Sequence, residues 1–177
     1  MNKTISKYIA ISLVIFSVVT SCSKQDEEYN ITQQESMIDN FVKANSTKRV
    51  VVNNKASRIV VTEGVGEGAA EGDSIYIEYA GYIFNGSKGN IFDTNVKTIA
   101  KQFDLDTTIR NFNHLGYTIG SDDLIPGLKN GLYGVKKGEQ CYIVFSSESG
   151  FGKKPISNIP KLTPLIFEIW IKDLKKN

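Results

Sequence analysis

Apolar residues recur along this 177-residue chain in several distinct rhythms, each pointing to a different element. Residues 8–19 form an uncharged, mostly apolar run. Further on, Met37, Ile38, Phe41 and Val42 fall at helical spacing behind Thr32-Gln33-Gln34-Glu35. That tetrad has the form of a capping box, in which hydroxyl and carboxylate satisfy orphan N–H groups reciprocally, so a helix over about 33–44 with one apolar stripe is predicted. The stripe alone does not say whether the helix dimerises the protein, covers a hairpin or packs on the domain. Residues 49–52 and 58–62 are β-branched runs separated by Asn53-Asn54-Lys55-Ala56-Ser57, which predicts a hairpin. Residues 63–71, rich in Gly, Ala and Glu, read as a flexible connection. From Gly72 onward, Ile75, Ile77 and Tyr79 alternate with Tyr76, Glu78 and Ala80, the pattern of a half-buried strand. Residues 140–145 form a second strand and 164–174 a third, with Leu165, Phe167, Ile169 and Ile171 on one face. Glu168, Trp170 and Lys172 fall on the other face, so Trp170 is expected to be partly exposed. Leu128 and Leu132, at i and i+4, predict a short helix over 125–134 covering one sheet face. Several strands and a short helix make an α+β domain.

The first apolar run is a separate matter. Twelve helical residues span about 18 Å, too short for a hydrocarbon core of about 30 Å. With Lys3 and Lys7 before it, the run reads as a secretory signal. It closes on Val19-Thr20-Ser21-Cys22, which resembles the lipobox of bacterial lipoproteins, in which the Cys is diacylglycerylated and becomes the acylated amino terminus. Several acyl chains make such an anchor effectively permanent. The expected layout is a signal peptide over 1–21, an acidic tether over 22–30 from lipidated Cys22, a helix and hairpin extension over 31–68, and the main domain over 69–175. The acidic run at 23–28 resembles a surface-export signal of Bacteroidota lipoproteins, or is an ordinary linker. The expected location is the cell envelope, anchored in the outer membrane on its periplasmic or outer face.

Charge and reactive residues then narrow the chemistry. The chain carries 21 Lys plus Arg against 19 Asp plus Glu, and loss of Lys3 and Lys7 with the signal leaves 19 of each. No basic stripe remains to suggest nucleic acid. Of the two cysteines, lipidation uses one, so Cys141 has no partner for an internal disulfide. Its alternation with Ile143 and Phe145 reads as a small buried residue. A single histidine, His114, argues against a His-dependent triad or a His/Cys zinc site.

An ordered set of short motifs resembles the FKBP family of peptidyl-prolyl cis-trans isomerases, in a lipoprotein form like those of Bacteroidota. The set runs Gly72-Asp73, Tyr79-Ala80-Gly81, Asn85-Gly86, Phe92-Asp93-Thr94, Thr118-Ile119-Gly120 and Leu124-Ile125-Pro126-Gly127-Leu128. It continues through Gly131-Leu132, Lys137-Gly138-Glu139, Gly150-Phe151-Gly152, Ile159-Pro160 and Leu165-Ile166-Phe167-Glu168. The resemblance covers about 100 residues and implies a twisted antiparallel sheet wrapped around a short helix, with an aromatic pocket between them. It implies catalysis of X-Pro bond rotation without nucleophile, metal or redox cofactor. Tyr79 and Phe92 match aromatic walls, Asp93 the pocket carboxylate, Ile125 a backbone N–H donor to a substrate carbonyl, and Phe167 the deep wall. Leu115, Leu124, Leu128, Phe151 and Ile159 match substrate-contacting positions. The implied partners are proline-containing unfolded or exported polypeptides, and the membrane through Cys22. A non-catalytic tethered chaperone or scaffold using the same groove is the alternative.

Three positions depart from the family's common pattern. Leu128 stands where a Trp floor is frequent, Phe151 where a Tyr hydroxyl often bonds the ligand, and Leu115 where an aromatic is frequent. These changes imply weak macrolide binding more than lost catalysis. Residues 95–113 form an insertion of about a dozen residues, in which Val96, Ile99, Ala100 and Phe103 sit at helical spacing behind a candidate N-cap, Asn95. This insertion is expected beside the pocket mouth or as an added packing element. Arg110 and Lys97 are both candidates for a basic rim residue.

Overall fold

The computed structural model of the protein describes residues 27–121 and 124–177, so the signal segment and Cys22 lie outside the described residues. A helix (α1) occupies 27–44. Seven strands follow: β1 (Val50–Asn53), β2 (Ala56–Thr62), β3 (Ser74–Phe84), β4 (Lys88–Thr94), β5 (Leu115–Thr118), β6 (Gln140–Phe145) and β7 (Leu165–Lys175). Two short helices, α2 (Lys97–Gln102) and α3 (Pro126–Gly131), lie between β4 and β5 and between β5 and β6. The strands form one antiparallel sheet in the order β1-β2-β6-β7-β3-β4, with β5 also on β3. The α+β architecture of a sheet around a short helix, preceded by a helix and hairpin, matches the expectation.

Alternation divides the strands between two apolar layers. Ile75, Ile77, Cys141, Ile143, Phe145, Leu165, Phe167, Ile169 and Ile171 face inward with Leu128 and Leu132 of the α3 segment. Cys141 is wholly buried there, and burial pushes its thiol pKa up, as suits an inert core residue. Ala80, Tyr82, Phe84, Val144 and Ile166 face outward, where Met37, Ile38, Phe41 and Val42 of α1 cover them. Phe41 meets Phe84 edge-on at 5.4 Å, and Trp170 is half-buried at the same layer. Burying a side chain such as Ile38 contributes about 1.5–3 kcal/mol. Packing on the domain is therefore the role of the α1 stripe.

Several local expectations give way to tertiary structure. The helix is already formed at residue 27, upstream of Thr32, so Thr32 is not its cap and the expected tether is helical from 27. Its hydroxyl instead donates to the Glu28 carbonyl one turn back at 2.9 Å, a bond open to any Thr inside a helix. The hairpin turns on two residues, Asn54 and Lys55, both with positive φ (43° and 68°), rather than on five. That handedness suits the twist of the flanking strands. Residues 63–71 are tied down: Val65 donates to the Lys137 carbonyl, while Ala69 donates to the Val135 carbonyl and accepts from the Gly134 N–H.

Along its free edge β3 changes partner midway, pairing β5 over Ser74–Ile77 and β4 over Ala80–Phe84. Asn95 fills the join. Its side-chain oxygen accepts the Tyr79 N–H at 2.7 Å, and its amide nitrogen donates to the carbonyls of Ile77 and Asn113. Asn95 thus closes the base of the 95–113 insertion instead of capping α2, whose N-cap is Val96. Helix α2 itself packs outward. Ala100 is buried, Ile99 joins the outer layer, and Phe103 meets Tyr82 edge-on at 6.2 Å. It is an added packing element on the outer layer.

The α3 helix starts at Pro126, whose missing N–H costs nothing at the first helical position. It lies so close to β6 that a Cβ on Gly127 would fall 2.3 Å from the Phe145 ring, and one on Gly131 2.3 Å from Ile143. Arg58 of β2 holds its other end, donating to the carbonyls of Gly131 (3.1 Å) and Tyr133 (2.7 Å). The same guanidinium lies 3.3 Å from Glu139, and both side chains are almost wholly buried. Removing one member strands a buried charge, so Glu139→Ala is expected to lose about 3–5 kcal/mol in urea unfolding. The double variant Arg58→Met/Glu139→Leu should recover only part of that loss, because the Gly131 and Tyr133 carbonyls lose their donor.

Candidate functional site

Between α3 and the inner face of the sheet lies a cavity of about 220 Å³. Its lining includes Tyr79 from β3, Phe92 and Asp93 from β4, Leu115 from β5 and Phe167 from β7. Leu124, Ile125 and Leu128 come from the α3 segment, and Phe151 comes from the loop after β6. Nine of the ten pocket residues expected from sequence therefore meet in one place. Ile159 does not: it is 3% exposed within the inner core, at the base of a tight loop where it exchanges backbone bonds with Ile156. Ile77 and Ile169 also line the cavity. Each lies two residues from an expected wall (Tyr79 and Phe167), so strand alternation carries the signal that finds them.

The cavity walls are aromatic. Phe167 meets Phe92 edge-on at 5.6 Å, tilts against Tyr79 at 6.3 Å and stacks on Phe145 at 6.0 Å. These are the separations at which offset and edge-to-face pairs are favourable. Gly81 lies on the same inner face, and a Cβ there would sit 2.6 Å from Phe92 and 2.9 Å from Phe167. The absence of a side chain at Gly81 is what lets both rings settle.

One polar chain edges this apolar box. The Tyr79 hydroxyl donates to Asp93 Oδ2 at 2.6 Å, and Arg110 pairs with the other carboxylate oxygen of Asp93. Burial first, and then the Asp93 carboxylate, push the Tyr79 pKa well above the ordinary phenol value, so the hydroxyl remains a donor at any physiological pH. Lys97, the other rim candidate, lies over the Phe112 ring at 6.0 Å. The sequence offered both residues, and the fold selects Arg110 because the insertion returns along β3 toward Asp93. At the opposite end, Ile125 is the N-cap residue of α3, and its carbonyl accepts from Leu128 and Lys129. A larger cleft of about 540 Å³, between the start of α1 and the loop after β6, is lined largely by charged residues such as Glu27, Glu35, Lys55 and Lys153. It has no aromatic wall and does not resemble an apolar binding box.

An antiparallel sheet folded over a short helix, with an aromatic cavity between them, is the architecture of the FKBP-type isomerases. The family described as FKBP-type peptidyl-prolyl cis-trans isomerase matches residues 66–172, and the chain belongs to that family. FK506-binding protein 1 of Aspergillus oryzae is 30% identical over 112 residues, covering 63% of this chain and 91% of that protein. FK506-binding protein 5 of Dictyostelium discoideum is 32% identical over 108 residues, 60% of this chain but only 6% of that protein. The crystal structure of FkpA from Escherichia coli superposes with a TM-score of 0.58 at 23% identity, covering 99% of this chain and 74% of that one. The last likeness establishes the shared fold.

The packing at Gly81 yields a direct check. Gly81→Ala should displace the Phe92 ring and cost about 1–3 kcal/mol in chemical unfolding, with a weakened aromatic near-UV dichroism signal. Unchanged stability and signal would show that the rings do not depend on that gap.

Proposed function

We propose that this chain is a peptidyl-prolyl cis-trans isomerase acting on X-Pro bonds of exported proteins. The observation that carries this reading is the aromatic-walled cavity with a single carboxylate at its edge. Rotation about a peptide bond meets a barrier of about 18–20 kcal/mol because amide resonance makes the C–N bond partly double. That resonance places negative charge on the carbonyl oxygen, where water stabilises it. A box of Tyr79, Phe92, Leu128, Phe151 and Phe167 withdraws the water and favours the twisted, less polar bond over the planar one. No covalent bond is made or broken.

Within this reading, Phe92, Tyr79 and Phe167 grip the proline ring. Asp93, held between Tyr79 and Arg110, orients the adjoining backbone, and the Ile125 N–H donates to a substrate carbonyl. Leu115 and Leu124 flank the chain on either side of the proline. With Leu128 as floor and Phe151 lacking a hydroxyl, one hydrogen bond to a macrolide is absent, about a tenfold loss of affinity. Proline isomerisation takes tens of seconds unaided, long enough for exported intermediates to aggregate, which gives a tethered isomerase its purpose. Tethering is supported by Val19-Thr20-Ser21-Cys22 behind the short apolar run.

The chain should accelerate a proline-limited refolding reaction, and Phe92→Ala should cut that acceleration at least about tenfold, equivalent to ~1.4 kcal/mol of barrier. Asp93→Ala should lower it less. Saturable binding of unfolded chains without acceleration by the parent protein would favour the non-catalytic chaperone instead. In a fractionated bacterial host, Cys22→Ser should move the protein from the membrane pellet to the soluble envelope fraction. Retention in the pellet would contradict lipid anchoring at Cys22.

A further inference from the structure

Gln34, in the helix that precedes the domain, is only 3% exposed although it is polar and lies on the side of α1 nearest the loop after β6. Its side chain accepts the Ser147 N–H at 2.8 Å and donates to the Leu162 carbonyl at 2.9 Å. Those two residues are the two ends of the loop that carries Phe151. Inside the loop, Leu162 N–H donates to the Gly152 carbonyl at 2.7 Å, and Gly152 N–H donates to the Ser147 carbonyl at 2.9 Å. The four bonds therefore close head to tail: Gln34 to Leu162, Leu162 to Gly152, Gly152 to Ser147, and Ser147 back to Gln34. Within the ring each residue gives one hydrogen and receives one; outside it, Gln34 also donates to Asn30 Oδ1 and the Ser147 carbonyl also accepts from the Gly150 N–H.

Two residues of the ring have a left-handed backbone, and at Leu162 that conformation is an uncommon one. Leu162 has a φ of +55°, a left-handed backbone that side-chain-bearing residues rarely occupy, and both its N–H and its carbonyl are members of the ring. Gly152, the next residue after the pocket wall Phe151, has a φ of +59° and is likewise bonded on both sides. Outside the ring, Lys153 pairs with Glu27 of α1 at 2.7 Å.

We propose that Gln34 is a positioning residue for the pocket: through the Ser147–Gly152–Leu162 ring it sets the placement of Phe151, so α1 belongs to the substrate-binding apparatus of the domain it precedes. This rests on Phe151 being a wall of the proline pocket, as read above. An Ala at position 34 removes both links. A Glu keeps the acceptor for Ser147 but turns a carboxylate toward the Leu162 carbonyl, breaking the ring at one bond.

The test compares the full chain with Gln34→Ala, Gln34→Glu and a control, Ile38→Val, which trims the same helix in the outer apolar layer. Each is assayed for KM and kcat on an X-Pro peptide and for amide hydrogen exchange by NMR. Both Gln34 variants should raise KM about three- to tenfold, the range expected for a lost neutral hydrogen bond, with kcat within about twofold of the parent. They should also speed exchange at Gly152 and Leu162 while leaving β6 and β7 amides protected, and Ile38→Val should do neither. Faster loop exchange with unchanged KM would overturn the proposal, since the ring would then be structural only. So would a uniform loss of protection across α1 and the sheet. A parent chain without isomerase activity would overturn the functional reading instead. Gln34 would then be judged by peptide affinity in place of KM, alongside the same exchange rates.

Discussion

The ring of Phe167 stacks on Phe145 at 6.0 Å and meets Phe92 edge-on at 5.6 Å, so one side chain is both a core residue and a cavity wall. Its placement needs Gly81 beneath it, because any Cβ there would enter the space of both Phe167 and Phe92. It also needs α3 pressed against β6, which Gly127 and Gly131 permit by leaving room for Phe145 and Ile143. The cavity is therefore not a gap left by poor packing. Large rings on the strands, opposed by a helix that meets β6 through Gly127 and Gly131 and the cavity through Leu128, hold it open. Walls fixed in this way resist collapse, since protein interiors transmit a local volume change to their neighbours.

Around that centre, polar groups are spent on joints. Arg58 fixes the far end of α3 against the buried Glu139, Asn95 closes the partner change along β3, and Gln34 closes the loop that carries Phe151. Each is buried, and each donates to at least one backbone carbonyl of another segment. A buried amide satisfied on both sides specifies one geometry, whereas an apolar side chain of similar size would tolerate several. The outer layer formed by α1 and the insertion helix thus does more than cover apolar surface. It fixes the ends of loops whose middle residues face the cavity.

What could be read from the chain before its structure follows the range of the interactions. Strands such as 75–79 and 165–171 announce themselves because alternation is local, and the cavity walls Tyr79, Phe92 and Phe167 stand in motifs a few residues long. The rhythm also held the answer for Ile77 and Ile169, which share a face with residues already singled out. Thr32 misled because a capping box and a mid-helix Thr look alike when the upstream residues are polar. Asn95 looked like a cap since nothing local reveals that β3 changes partners beside it. Arg110 could not be chosen over Lys97, as its partner Asp93 is 17 residues away across an insertion. Gln34 lies 113 and 128 residues from its two loop partners, beyond any pattern in the chain.

In the proposed function the aromatic cavity lowers the barrier to X-Pro rotation by replacing water around the bond. The most direct measurement is NMR exchange between the cis and trans forms of a proline peptide, with the full chain present at catalytic concentration. Exchange cross-peaks should build up with the parent protein, equally at pH 6 and pH 8 because no proton is transferred, and fade when the Phe92 wall is removed. Exchange as slow as in buffer alone, from a chain whose sheet and α3 are demonstrably folded, would contradict that function.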